Sequence, residues 1–424
     1  MTDRDTTNAY TASPALATAP LGLRYRLGFT LASMIAGISV CIKQLLLPLQ
    51  VSQLDPVHTY TSFTLVASLG ALAGLVASPL SGALSDRTVS RLGRRRPWML
   101  GGLIVALLGL ALMAAATSIA LLLLGEVLEQ IGVDTILATV TALIPDHIPE
   151  QQRAHTAALN GMAPVCGGVL WLVLVTGFTH TRSVTQGYLV LALCSVGCLL
   201  TFLGVLHEDT TTGKPVPPQS CKAFIFSFGR PLASRDFVLT LLSRLLVFLT
   251  FTILGAFLLF YLQGVFHLSA QGAARTLTAF QVVATLLLVG VALLVGALAQ
   301  RLNRLKPFVI VGALLMAVAL GLLGVLVLLP CWIALFVAAV LFGGGFGAYL
   351  GVDINLAVRV LPRAEERGKD LGIMYTAIFL PLILSPLIGE VALNVFHSFV
   401  LLFLVAALAS GAAALLIVPI RAVR

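Results

Sequence analysis

Charge is what this chain has least of: 10% of its 424 residues are Asp, Glu, Lys or Arg, against 59% that are hydrophobic. A soluble domain of that length cannot hide so much apolar surface, because a large share of any fold's surface faces solvent. The mean hydropathy of +1.03 therefore implies lipid as the solvent for much of the chain. Cysteine is also sparse, and the six present carry no disulfide signal. Cys41, Cys166, Cys194, Cys198 and Cys331 fall in or at the edge of apolar runs, and Cys221 falls in a loop expected in the cytoplasm. They read as small packing residues. Nucleophile arrangements, phosphate-binding loops and metal-ligand clusters are missing, and the histidines lie mostly between apolar runs. This speaks against an enzyme and against an ATP-driven pump, and no metal or cofactor is expected. Residues 1–22 lack a cleavable apolar core and are expected to form a disordered cytoplasmic lead, not a signal peptide.

What is there is a series of long apolar runs, near 27–49, 59–84, 97–116, 119–144, 155–178, 185–206, 237–262, 270–298, 307–328, 332–358, 370–393 and 397–419. A helical span takes about 20 apolar residues, so the pattern predicts an all-α, polytopic membrane protein with twelve crossings. The formal charge of +9 does not point to a nucleic-acid partner. The basic residues crowd every second loop: Arg87, Arg91, Arg94, Arg95 and Arg96 in one, Arg301, Arg304 and Lys306 in another, Arg363, Arg367 and Lys369 in a third. The alternate loops 50–58, 329–331 and 394–396 have neither Lys nor Arg, and Arg182 is the exception. Basic loops stay in the cytoplasm, which places both termini there and the chain in the inner membrane of a cell.

The chain also repeats itself. Gly82-Ala83-Leu84-Ser85-Asp86 returns as Gly296-Ala297-Leu298-Ala299-Gln300, and Gly132-Val133-Asp134 as Gly351-Val352-Asp353. Ile144-Pro145, with Glu150 and Arg153 following, returns as Leu361-Pro362, with Glu365, Glu366 and Arg367 following. The offsets, 214–219 residues, are half the chain. Two parallel six-span halves are expected, at 23–206 and 236–424, joined by a charged, proline-bearing cytoplasmic linker at 207–235.

After span 2 the chain reads Gly82-Ala-Leu-Ser-Asp86-Arg87-Thr-Val-Ser-Arg91-Leu-Gly93-Arg94-Arg95-Arg96-Pro97-Trp98. This resembles the signature of the major facilitator superfamily between its second and third helices. The lengthened form is similar to the glycoside–pentoside–hexuronide and sucrose-transporter branch. Arg367-Gly368-Lys369-Asp370-Leu371-Gly372, with Leu380-Pro381 and Ser385-Pro386-Leu387-Ile388-Gly389, resembles the same branch. The resemblance implies a major facilitator fold and a sugar or glycoside as substrate. It also implies a cytoplasmic gate of Asp86, Arg87, Arg91 and Arg94 against the start of span 11 near Gly368 and Asp370. A helix N-terminus there offers free N–H groups to an acid. Gln300 stands where the second half would carry its own acid, so the latch is expected to be one-sided.

Each ionisable group in a span costs about 2.5–3.5 kcal/mol or more and needs a reason. Lys43, Glu126, Glu129, Asp134, Asp353 and Glu390 are such groups, with Arg244 and Arg275 nearer span ends. Lys43 and Glu126 lie at similar depth, and Glu126, Glu129, Gln130 and Asp134 share one face of span 4. Lys43 is expected to pair with Glu126 or Glu129 at the wall of a central cavity. That leaves a carboxylate in excess, either as a proton carrier or as part of a static network tying spans 1 and 4. Asp353 has Arg244 and Arg359 within reach. Gln44, Thr64, Asn160, Thr250, Gln281, Tyr349 and Tyr375 are the polar groups available to a ligand. Such a set is thin for a sugar, whose hydroxyls each need a partner, and the many phenylalanines read mainly as core or lipid-facing. Gly161-Met-Ala-Pro164-Val-Cys-Gly167-Gly168 resembles a stretch of proton-coupled exporters.

The expected function is secondary active transport of a small solute by a monomer, with protons as coupling partner. The alternatives are a proton-driven exporter of amphiphilic or cationic compounds and a non-transporting membrane sensor or scaffold.

Overall fold

A computed structural model describes residues 23–148, 150–178, 183–206, 234–360 and 367–420. Twelve helices among them are long and apolar enough to cross a membrane. The first, α1, is assembled from Leu23–Met34, Gly37–Cys41, a π-helical turn Ile42–Leu46, and Leu47–Leu54. Then follow α2 (Thr59–Arg87), α3 (Arg96–Ala114), α4 (Ile119–His147), α5 (Glu150–Phe178) and α6 (Val184–Val205). The later six are α7 (Arg235–Val265), α8 (Ala270–Leu302), α9 (Lys306–Val325), α10 (Trp332–Arg359), α11 (Arg367–Glu390, closing on a π turn Val391–Val395) and α12 (Phe399–Ile417). The expected linker lies almost wholly outside the described residues, as do residues 1–22. Several helices overrun their expected ends: α1 continues to Leu54, α5 starts at Glu150 and α8 runs to Leu302. Their last turns are polar, so hydropathy alone stops short of them.

The packing repeats with the sequence. In the first bundle α3 and α2 pack on α4, and α1 packs on α5 and α6; in the second α9 and α8 pack on α10, and α7 packs on α11 and α12. The two bundles meet through α2 against α11 and α5 against α8, a pair of contacts that the same repeat relates. Hydroxyls stitch them: Thr64 Oγ1 donates to the Pro386 carbonyl (2.9 Å), Ser68 Oγ to Ile383 (3.1 Å) and Thr278 Oγ1 to Thr176 Oγ1 (3.2 Å), while Asn394 Nδ2 donates to Thr61 Oγ1 (3.0 Å). Phe63 and Tyr60 meet Phe257 and Phe260 edge to face at the same level. All of these lie toward the end away from the arginine loop 88–95. That end is closed.

Two breaks shape α1, and each has a local cause. At Ile35–Ala36 the backbone bonds tighten to three-residue spacing, and the Met34 carbonyl accepts from Trp171 Nε1 at 2.8 Å. Gly37 then crosses α5 so closely that a Cβ there would lie 2.6 Å from the Pro164 carbonyl oxygen and from Gly167. The Pro164–Gly168 part of the Gly161–Gly168 stretch thus serves a close helix crossing, which small residues allow. Eleven residues on from Gly37, Pro48 has no N–H to return to the Gln44 carbonyl four residues back, and its ring would strike that carbonyl. The helix widens instead, and the Leu47 N–H reaches Ile42 as a π turn does. Between the first crossings, Asp55 accepts from Ser62 Oγ (2.7 Å) and the His58 N–H (3.0 Å), which hold its carboxyl below the usual carboxylate range.

Gly37→Leu should drive α1 and α5 apart at a cost of about 1–3 kcal/mol. Gly177 of α5 has open space around it, and Gly177→Leu should be neutral. Thermal unfolding in detergent checks the pair; equal melting of both variants would refute the close-crossing role.

Candidate functional site

Between the bundles lies a narrow cleft whose room for water-sized guests is about 20 Å³, well short of the volume of a small-molecule site. Its walls come from five helices: Val40 and Gln44 of α1, Val165 and Val169 of α5, Phe251 of α7, Gln281, Ala284, Thr285 and Leu288 of α8, and Phe342, Gly343 and Phe346 of α10. Gln281 Nε2 donates to Gln44 Oε1 at 2.7 Å, so the two bundles share an amide pair at the cleft. Phe251 and Phe346 stack at 4.6 Å between centroids, 19° from parallel, and form an aromatic wall. No Asp, Glu, Lys or Arg is among these lining residues. The phenylalanines read from the sequence as core or lipid-facing, yet these three line the cleft. Only the meeting of α7 and α10 selects them from the 22 in the chain.

Behind the cleft, on the far side of α1, sits the acidic cluster. Lys43 Nζ lies 3.1 Å from Glu126 Oε1 and also donates to Gln130 Oε1. Ser39 Oγ donates to Glu129 Oε1 at 2.9 Å, and Gln130 Nε2 to Asp134 Oδ2 at 2.8 Å. Glu126 and Glu129 are fully buried and Asp134 is 4% exposed. Glu126 Oε2 and Glu129 Oε2 have no hydrogen-bond partner. Room for these carboxylates is made by α2: a Cβ at Gly70 would lie 2.6 Å from the Glu126 side chain, and one at Gly74 would strike Asp134 and Gln130. Nothing in the sequence singled out Gly70 or Gly74, because the glycines matter only once α2 is laid on α4.

The cluster was expected at the wall of a central cavity, and it lies apart from this cleft. Glu126, Glu129, Gln130 and Asp134 face α1 and α2, and none lines the cleft. The π turn stands between them: it aims Lys43 at the cluster and its neighbour Gln44 at the cleft.

Tyr349 and Asp353 form a separate buried cluster in the second bundle. Asp353 Oδ2 pairs with Arg244 Nη2 at 3.1 Å, and its Oδ1 accepts from Tyr349 Oη at 2.8 Å. Arg244 lies over the Phe248 ring at 5.8 Å, while Arg359 turns instead to Asn303. Here one cation meets one carboxylate, and neither Tyr349 nor Asp353 touches the cleft. Of the other polar groups, Thr64 holds α11, Asn160 joins Ser33 and Thr141, and Thr250 bonds back to Leu246. The Tyr375 side chain lies outside the described residues. Arg275 is exposed and Glu390 half-buried at the closed end.

At the basic end Asp86 Oδ1 pairs with Arg95 Nη2 at 2.6 Å within the first bundle. Arg95 is buried and also donates to Ser85 Oγ at 2.6 Å. Arg87 and Arg91 are exposed and Arg94 is half-buried. Gly368 and Asp370 lie outside the residues whose side chains are described, so the expected partner of Asp86 across the bundles is not among these contacts. Among the described residues no group of three or more His, Cys, Asp or Glu side chains could hold a metal.

A family model described as Major Facilitator Superfamily matches residues 25–328 and 285–424. The chain is 35% identical over 187 residues to the General alpha-glucoside permease of Schizosaccharomyces pombe, covering 37% of this chain and 34% of that protein. It is 31% identical over 147 residues to the class E Tetracycline resistance protein of Escherichia coli, covering 35% of each. The match thus spans about a third of the length of either relative. Among solved structures, the nucleoside transporter NupG superposes with a TM-score of 0.71 at 15% identity, over 93% of this chain and all of that one. The human organic anion transporter MFSD10 does so with 0.69 at 18%, over 94% of this chain and all of that one. At such identities the likeness is one of fold.

Lys43→Met would leave Glu126 buried without its cation, a change that costs about 3–5 kcal/mol. Lys43→Met combined with Glu126→Gln should recover most of that loss. Unfolding in detergent at neutral pH reads both; the same deficit in single and double variants would assign the effect to packing rather than charge.

Proposed function

We propose, for a chain that belongs to the Major Facilitator Superfamily, that it is a proton-coupled secondary carrier moving a small amphipathic solute through the cleft by alternating access. The observation that carries this reading is the excess of carboxylates beside the cleft. Glu126, Glu129 and Asp134 face the single cation Lys43. Removing a carboxylate from water without a counter-charge is costly, so a buried site with this surplus binds protons. The cluster in the second bundle is balanced, Arg244 against Asp353, and needs none. Protons therefore enter and leave on the Glu126–Glu129 side.

The lining of the cleft, once the bundles part, suits a glycoside in which a sugar meets an apolar ring. Gln44, Gln281 and Thr285 offer donors and acceptors to hydroxyls, and Phe251, Phe342 and Phe346 offer a flat apolar face. The partial matches to an alpha-glucoside permease and to the Glucose transporter GlcP of Staphylococcus epidermidis support a sugar moiety. One observation favours export of amphiphilic or cationic compounds instead: the aromatic wall outweighs the amides, and a tetracycline resistance protein is among the relatives. With the arginine loops in the cytoplasm, the closed end faces outward, so the state is an outward-closed one. In the opposite state Asp86 exchanges Arg95 for the start of α11 near Gly368 and Asp370.

Uptake into proteoliposomes tests the reading. An imposed proton gradient should accelerate uptake of an aryl α-glucoside by about tenfold, and Glu129→Gln should lose that acceleration while keeping counterflow. Undiminished, pH-independent transport by Glu129→Gln would remove Glu129 as carrier. Counterflow of lipophilic cations without glycoside uptake would replace import with export.

A further inference from the structure

The sequence neighbours Lys43 and Gln44 serve two polar systems that are otherwise separate. Lys43 is bound to Glu126 and Gln130 in the first bundle, and Gln44 is bound to Gln281 in the second. In a regular helix, neighbours diverge by about 100° and are held by the same ladder of backbone bonds. Here both sit in the π turn Ile42–Leu46, where Pro48 denies that ladder a donor. Such turns recur at functional sites, because one residue of slack can move along the helix. Gln44 has little freedom of its own: it is 6% exposed, and its amide packs on Gly255 of α7, where a Cβ would come within 2.9 Å. A displacement of Lys43 therefore passes to the amide pair rather than being absorbed beside it.

We propose that the π turn of α1 is the element that couples the carboxylate cluster to closure between the bundles. Lys43 acts as the positioning residue on one side and Gln44 on the other. The idea rests on the proton-coupled reading above. When the cluster is ionised, Lys43 is drawn to Glu126, the turn is held in its widened form, and Gln44 is presented to Gln281. When the cluster takes up protons, the pull on Lys43 weakens, the turn can shift, and the amide pair that closes the bundles above the cleft loses its alignment. Few other titratable groups are placed to intervene. Asp134 shares the face of α4, and Tyr188 of α6 lies near with Cys41 of α1 beside it, its hydroxyl committed to Gln50 at 2.7 Å. At this level α2 presents Gly70 and Gly74, and α3 presents Gly109 and Met113.

The second π turn follows the same rule. Val391–Val395 of α11 carries Asn394, which donates to Thr61 of the other bundle. Both widened turns in the chain's described residues hold an amide that reaches across the bundles at the closed end.

A double-mutant cycle tests the coupling, because Lys43 and Gln281 lie in different bundles and are linked here only through the turn. Spin labels at Val57→Cys and Val395→Cys, both exposed at the closed end, would be placed in the full chain with its native cysteines changed to Ala, in nanodiscs. Electron–electron distance measurement then reads the closed fraction without any substrate. Between about pH 5 and pH 8 the closed-to-open ratio of the parent should change by about threefold or more. Lys43→Gln should abolish that change, and Gln281→Leu, which leaves every titratable group in place, should abolish it too. The two substitutions together should do no more than either alone. Persistence of the pH response in Gln281→Leu, or additive effects of the two substitutions on the closed fraction, would overturn the proposal. A parent whose closed fraction ignores pH would instead overturn the proton reading, and the additivity of the two substitutions at one pH would still decide whether the turn couples them.

Discussion

The ion pair between Lys43 and Glu126 sits where neither charge has water to fall back on, and much of the first bundle is arranged around that fact. A lone cation or carboxylate at this depth would cost more than packing could recover. The pair is therefore enclosed by groups that share the load: Gln130 accepts from Lys43 and donates to Asp134, and Ser39 donates to Glu129. Glycines of α2 give the acids space. The arrangement leaves two carboxylates without a cation of their own, and that shortfall separates this bundle from its repeat mate. In the second bundle Tyr349 and Asp353 repeat the spacing of Gln130 and Asp134, and Arg244 closes the balance. One half of a duplicated fold is electrically settled while the other is not.

Helix crossings and breaks serve the same end. Gly37 and Gly167 let α1 lie against α5, and Trp171 occupies the carbonyl freed at the break. Pro48 then turns a uniform helix into one whose adjacent residues face different bundles. Without that widened turn Lys43 and Gln44 would still be neighbours in sequence, but the cluster and the cleft would have no common part. The cleft is apolar on its aromatic side and amide-lined on the other, and it borrows no charge from the cluster behind it.

Much of the fold was legible because lipid imposes simple rules. A crossing must be long, apolar and helical so that its backbone satisfies itself, and the twelve runs answer to that directly. The repeat of Gly132-Val133-Asp134 in Gly351-Val352-Asp353 announced the duplicated packing. The meeting of Lys43 with Glu126 followed from depth, since two charges at one level of a membrane gain by finding each other. Other expectations depended on direction rather than depth, and these the chain order does not encode. The carboxylates were expected to look into the cavity, whereas α1 lies between them and it. Asp86 holds Arg95, which nothing in the arginine run distinguishes from its neighbours, while its expected partners Gly368 and Asp370 lie outside the residues whose side chains are described.

By itself, then, the sequence determined the number of crossings, the duplicated bundles and most of the charges buried within them, though not Arg95. Each follows from the cost of exposing polar groups to hydrocarbon, a cost paid residue by residue. Only the tertiary structure decided which phenylalanines face the cleft, which glycines admit the acids, and that Lys43 and Gln44 part company at a π turn. Those depend on how helices rotate and cross, and rotation is set by contacts between residues hundreds of positions apart.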